Sequence, residues 1–227
     1  MGKKICLFWD IDGTLIWSGG ADERAFEHAT REVYGIETSL AKIDYSGRTD
    51  RLIARLIADY HEIEEHQRKD TDILAAYLKQ LSVEMNSGTA FELKGVRQLL
   101  GLAHADDSVE QGLLTGNLIE GAETKLRHFD FWKYFHFGGF ADHSHERDQI
   151  AEHALELALK KDYAESAELS WVIGDTPHDV SCGRHIGART LAVATGKHTV
   201  DELRLSKPDI ALESLEDVET VWKTLID

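Results

Sequence analysis

Cysteine is nearly missing from this chain: Cys6 and Cys182 are the two in 227 residues. Cys6 falls inside an apolar run that reads as a buried strand, so no structural disulfide is expected and a reducing compartment is. Positive charge is also short, with 25 Lys and Arg against 41 Asp and Glu and a formal net charge of -16. Such a surface repels phosphate backbones and argues against a nucleic-acid partner. It leaves room for a small anionic substrate, because a metal and a few local cations reverse the field inside a cleft. Long apolar runs are absent too; none approaches the roughly 18 residues of a membrane span. The run behind Lys3 and Lys4 stops at Asp10, too soon for a signal peptide. No internal repeat or low-complexity linker interrupts the chain. A cytoplasmic chain with no membrane partner is expected, and 42% hydrophobic residues suffice for a core.

What the sequence does have begins at Ile5-Cys6-Leu7-Phe8-Trp9-Asp10-Ile11-Asp12-Gly13-Thr14-Leu15. Five unbroken apolar residues suit a strand buried on both faces of a parallel sheet. Alternation then places Asp10 and Asp12 on one side at the strand's end, where α/β sheets bind ligands. Two carboxylates so close repel unless a cation or shared proton compensates. On its own the motif is equally a polar turn.

From Ile16 the pattern changes. Ile16 to Gly20 reads as a hinge or loop. Helical spacing then takes over: Ala25, Phe26, Ala29 and Val33, with Gly35 as a stop; Leu52 to Tyr60, capped by Thr49 or Asp50; and Ile73 to Leu81. The charged run Glu62 to Asp72 reads as a solvated face or turn. Residues 16–88 are therefore expected to be an all-helical insertion, with 1–15 and 89–227 forming the main domain. Beyond Phe91, helices over Val96–Ala103, Ala122–Phe129 and Ile150–Ala158 alternate with short strands. The strands end at Thr115, lie near Tyr134–Phe137, and run over Leu169–Gly174 and Arg189–Val193, and a helix over Leu215–Leu225 closes the chain. This alternation predicts an α/β, Rossmann-like parallel sheet with helices on both faces.

Three of these strands end in small or acidic residues: Asp10 and Asp12; Thr115-Gly116-Asn117; and Gly174-Asp175-Thr176-Pro177-His178-Asp179. Each group alone also serves as an ordinary helix cap or dipole partner. Together and in this order they resemble the motifs of the haloacid dehalogenase-like hydrolase superfamily, in its phosphoglycolate phosphatase-like branch. The insertion is similar to that family's helical cap. Arg147, in His145-Glu146-Arg147-Asp148, stands where the family usually has Lys; Lys125, Lys160 and Lys161 are its rivals.

The resemblance implies a phosphatase for a small phosphorylated metabolite. Asp10 would carry an aspartyl-phosphate and Asp12 would act as general acid and base. Thr115, Gly116, Asn117 and Arg147 would bind or orient the phosphate. Asp10, the Asp12 backbone carbonyl and Asp175 would hold Mg²⁺, with Asp179 as ligand or close behind. Arg48, after Gly47 at a helix start, would meet the substrate's other end. The alternatives are a β-phosphoglucomutase-like phosphomutase and a catalytically idle regulatory protein on the same fold. Asp12 argues against a dehalogenase, and Lys42 lacks the surroundings of a Schiff-base lysine. His143 and His145 read as solvent-exposed loop histidines beside the site, and Trp9 as a packing residue.

Overall fold

The structure, a computed structural model, describes residues 4–227; Lys3, beside the first apolar run, lies outside them. Strand β1 (Ile5–Trp9) is buried at every residue, as an unbroken apolar run requires in a doubly covered sheet. A two-residue strand β2 (Ile16–Trp17) follows. Helices α1 (Ala21–Tyr34), α2 (Asp50–Tyr60) and α3 (Asp70–Glu84) come next. Strand β3 (Phe91–Glu92) returns the chain and pairs antiparallel with β2. Alternation then sets in with α4 (Val96–Ala105), β4 (Val109–Leu114), α5 (Ile119–His128), β5 (Gly138–Gly139) and α6 (Arg147–Lys160). It continues through β6 (Ser170–Gly174), α7 (Pro177–His185), β7 (Arg189–Val193), α8 (Val200–Leu205), β8 (Ile210–Leu212) and α9 (Val218–Ile226).

The main sheet has six strands in the order β5-β4-β1-β6-β7-β8, and every pairing in it is parallel. Because β1 lies between β4 and β6, its register aligns Trp9 with both Leu113 and Ile173. The residues just beyond these three strands therefore gather at one edge, in the crevice where connections diverge to opposite sides. Trp9 is a packing residue, fully buried in the main core. Cys6 and Cys182 are buried free thiols. Among the described residues no helix is long and apolar enough to cross a membrane.

The inserted helices share one apolar cluster with the main sheet. Phe26 of α1 stacks on Tyr77 of α3 with ring centroids 3.9 Å apart, and Ala25, Ala29, Ile73 and Leu81 are buried in the same cluster. Burying such an aromatic stabilises by about 1.5–3 kcal/mol before entropy is charged. Arg24 pairs with Glu84 at 2.6 Å across the same two helices. Thr49 caps α2 by accepting from the Leu52 N–H.

Two sequence expectations change. The stretch expected to be a loop from Ile16 contains β2, which brings both crossings into the helical insertion together as a ribbon. Ile16 is fully buried, and the Leu93 N–H donates to the Leu15 carbonyl. A two-residue strand is too short to leave a periodic signal. The strand expected near Tyr134–Phe137 lies instead at Gly138–Gly139. Trp132–Tyr134 makes a short 3-10 turn, and Phe137 turns into the core, edge-on to Phe8 at 6.1 Å.

Candidate active site

The ends of β1, β4 and β6 open into a cavity of about 120 Å³ that is also walled by the helical insertion. Asp10, Asp12, Thr115, Gly116, Asn117, Arg147, Asp175 and Arg48 all line it. The structure thus brings these eight expected residues together. Gly13 holds the turn between the strands: its φ is +78°, and a Cβ there would lie 2.4 Å from an Asp175 oxygen. Only glycine permits that approach.

Asp10 is buried and its N–H donates to the Ile173 carbonyl at 2.9 Å, which ties it to β6. One oxygen each of Asp10, Asp175 and Asp179 lie within 4.8 Å of one another. Burial raises Asp175 well above the ordinary carboxylate range, and the charges of Asp10 and Asp12 push it further. Such mutual repulsion is what a bound cation relieves.

Asp179 has both oxygens engaged. One accepts from the Thr176 N–H at 3.0 Å and the Thr176 hydroxyl at 2.6 Å, in a capping box that starts α7 behind Pro177. The other accepts from Arg147. Arg147, the first residue of α6, also points a second nitrogen at Asp10, 3.7 Å away. Its Nε is buried without a partner. Lys160 and Lys161 lie exposed at or just past the far end of α6, away from the cavity.

Lys125, one of Arg147's rivals, stands in the site as well. Its ammonium donates to Asp12 at 2.7 Å and Asn117 Oδ1 at 2.6 Å, and pairs with Asp22 at 2.5 Å. The side chain is 1% exposed. Burial alone would lower its pKa, but Asp12, Asp22 and Asp50 outweigh that and hold the ammonium above its usual range. Asp12 Oδ2 accepts from Lys125 and from Asn117 Nδ2 at 2.8 Å, while its Oδ1 is buried without a partner. Burial pushes Asp12 up to about 6, Lys125 opposes this, and Asp22 adds to it. A carboxyl near 6 suits proton transfer at neutral pH.

Thr115 is fully buried, and its hydroxyl accepts from Asn117 Nδ2 at 2.8 Å. Gly116 lets the insertion sit directly on this turn: a Cβ there would meet the Arg48 carbonyl at 2.6 Å. The Asp50 N–H donates to the Gly116 carbonyl at 2.8 Å, and the Asp50 carboxylate accepts from the Leu118 N–H at 2.8 Å. Arg48 lies 3.9 Å from Asp44, and its Nε is buried without a partner.

His143, His145 and Lys42 are not among the cavity's lining residues. His143 stacks on His153 with ring centroids 3.7 Å apart, and Lys42 is exposed.

Sequence reasoning passed over Asp22, Asp50, Tyr45 and Lys197 as site residues. Asp22 and Asp50 begin helices, where acidic residues are ordinary. Lys125 did leave a signal, since it follows Gly121 and Ala122 by one turn on the buried face of α5. Tyr45 donates to Glu23 and accepts from Lys197 at 2.6 Å, closing the cavity's rim.

A model of the HAD-hydrolase-like family matches residues 150–218, which include Asp175 and Asp179. The pyrophosphatase PpaX of Oceanobacillus iheyensis is 25% identical over 226 residues, covering 95% of each chain. A hydrolase of Pseudomonas syringae superposes with a TM-score of 0.77 at 18% identity, over 99% of this chain and 100% of that one. A predicted phosphoglycolate phosphatase of Haemophilus somnus does so with a TM-score of 0.74 at 15% identity, over 97% and 99%. These two likenesses speak for the fold.

Proposed function

The chain belongs to the haloacid dehalogenase-like hydrolases, and on that premise we propose that it is a Mg²⁺-dependent phosphatase for a small phosphomonoester. The observation that carries the reading is the meeting of Asp10, Asp12 and Asp175 in one cavity with Arg147 turned toward Asp10.

Asp10 attacks phosphorus, forming an Asp10–phosphorus bond as the bond to the leaving oxygen breaks. Asp12, whose carboxyl is part-exposed at the cavity, gives that oxygen its proton. Water then attacks the aspartyl-phosphate, Asp12 takes its proton, and Asp10 is released. Arg147 and Thr115 bind phosphoryl oxygens, Gly116 lets the loop come close, and Asn117 orients Asp12. The donors fit a hard cation: Asp10, the Asp12 backbone carbonyl and Asp175 would hold Mg²⁺, which when bound screens the carboxylates and polarises the phosphoryl group. Asp179, committed to Thr176 and Arg147, orients Arg147. Residues 16–88 act as a cap over the core, and Arg48 faces the part of the substrate beyond the phosphate.

The name of the Oceanobacillus relative favours inorganic pyrophosphate as a second substrate to assay. Phosphate release from alkyl phosphates, p-nitrophenyl phosphate and pyrophosphate, with and without a chelator, tests the assignment. Release that needs Mg²⁺ and is lost in Asp10→Asn is expected. Wild-type turnover in that variant, or full activity after exhaustive chelation, overturns it.

A further inference from the structure

The Lys125 ammonium sits against three oxygens: it donates hydrogen bonds to Asp12 and Asn117 and forms an ion pair with Asp22. Two of the partners, Asp12 and Asn117, belong to the strand-end turns of the main sheet. The third, Asp22, belongs to the first turn of α1, just past Gly19 and Gly20. Asp22 is in turn held by the Tyr77 hydroxyl of α3 at 3.1 Å. A single buried ammonium therefore joins the proposed acid to two helices of the cap.

We propose that Lys125 is a positioning residue that makes Asp12 ready only when the cap is closed. This rests on the phosphatase reading above. With Asp22 in place, the ammonium is fixed, and Lys125 and Asn117 together fasten Asp12 by Oδ2. The other oxygen, Oδ1, is buried and makes no hydrogen bond, so the two bonds to Oδ2 alone fix how the carboxyl is turned. With the cap open, Asp22 departs with α1, the ammonium loses one partner and gains water, and Asp12 loses its fixed orientation. A buried cation with a departed partner is strongly disfavoured, so the same contact biases the cap toward closure. The coupling is reciprocal: whatever engages Asp12 also favours the closed cap.

Asp22→Asn and Lys125→Met, alone and combined, test this with two independent readouts. The first is kcat and KM on an alkyl phosphate and on p-nitrophenyl phosphate. The latch requires a fall in kcat of about 10-fold or more on the alkyl ester, a much smaller fall on the aryl ester, and no further loss in the double variant. The second is amide hydrogen exchange over residues 16–22 and 88–93 in the Mg²⁺-loaded protein. Exchange there rises in both single variants to the same extent and no further in the double. Equal losses on the two esters, additive losses, or unchanged exchange overturn the latch. Should Lys125→Met not fold, the two readouts on Asp22→Asn alone decide it. Exchange is read even if wild type releases no phosphate, in which case the phosphatase reading fails separately, and unchanged exchange still sinks the latch.

Discussion

Asp12 has two oxygens in unlike surroundings, one fastened by Lys125 and Asn117 and the other buried without a hydrogen bond. Proton transfer belongs to this carboxyl, whereas the atom assigned to the metal is the backbone carbonyl. Asp12→Asn is therefore expected to keep its Mg²⁺ affinity while losing turnover. A general acid contributes about 10²–10⁴-fold, and the loss should be largest for alkyl esters, whose leaving oxygens need the proton. Mg²⁺ titration followed by thermal shift, beside kcat on alkyl and nitrophenyl phosphates, checks both halves. Equal losses on the two esters would remove the leaving-group role. Arg147 shows the same division of labour within one side chain, one nitrogen toward Asp10 and another held by Asp179.

At the scale of the elements, α2 meets the main domain through its first residue, which is clamped to the turn after β4. Asp50 is buried there, and burial pushes its carboxyl up to about 7 despite the opposing charge of Lys125 and the Leu118 N–H. The sign follows from linkage. Between the unfolded value of 3.8 and the folded value, the native state holds a proton that the unfolded chain has released. Stability from this group is thus fully present below the unfolded value and is lost as pH rises toward 7, at up to about 1.4 kcal/mol per pH unit. Asp50→Asn keeps an oxygen for the Leu118 N–H and removes the titration. Denaturant midpoints from pH 4 to 8 should show wild type losing ground to the variant as pH rises; parallel curves would mean Asp50 titrates normally.

Much of this was legible in the residues. Long apolar stripes and unbroken runs announced α1, α2, α3, β1 and β6, because burial on one or two faces writes itself into spacing. Strands β2, β3 and β5 were hidden, since two residues carry no period and glycines at Gly138 and Gly139 carry no side chain. In the site, the residues at strand ends were readable because the sheet gathers them. The contacts of Lys125, Asp22 and Asp50 were not, because they depend on how the inserted helices sit against the sheet, which no local pattern encodes.

Taken whole, the molecule carries a net charge of -16 and concentrates part of it at one point, where Asp10, Asp175 and Asp179 crowd together. A cluster of like charges is a site built for function at the expense of stability. Without metal, burial and the charges of Asp10 and Asp12 drive Asp175 well above its ordinary carboxylate range. Replacing it by Asn removes a buried group that is costly to ionise while keeping the shape. The metal-free Asp175→Asn variant is therefore expected to melt above metal-free wild type, with Tm higher by a few degrees for a gain of about 1 kcal/mol in a chain of this length. Adding Mg²⁺ reverses the order. A ligand that binds only the folded state contributes about 2.7 kcal/mol at one hundred times its Kd, and the variant, short of one ligand, should miss most of that rise. Melting curves of both proteins across a Mg²⁺ series decide the matter. A variant less stable than wild type without metal, yet equally raised by Mg²⁺, would make Asp175 a structural residue and no part of a metal site.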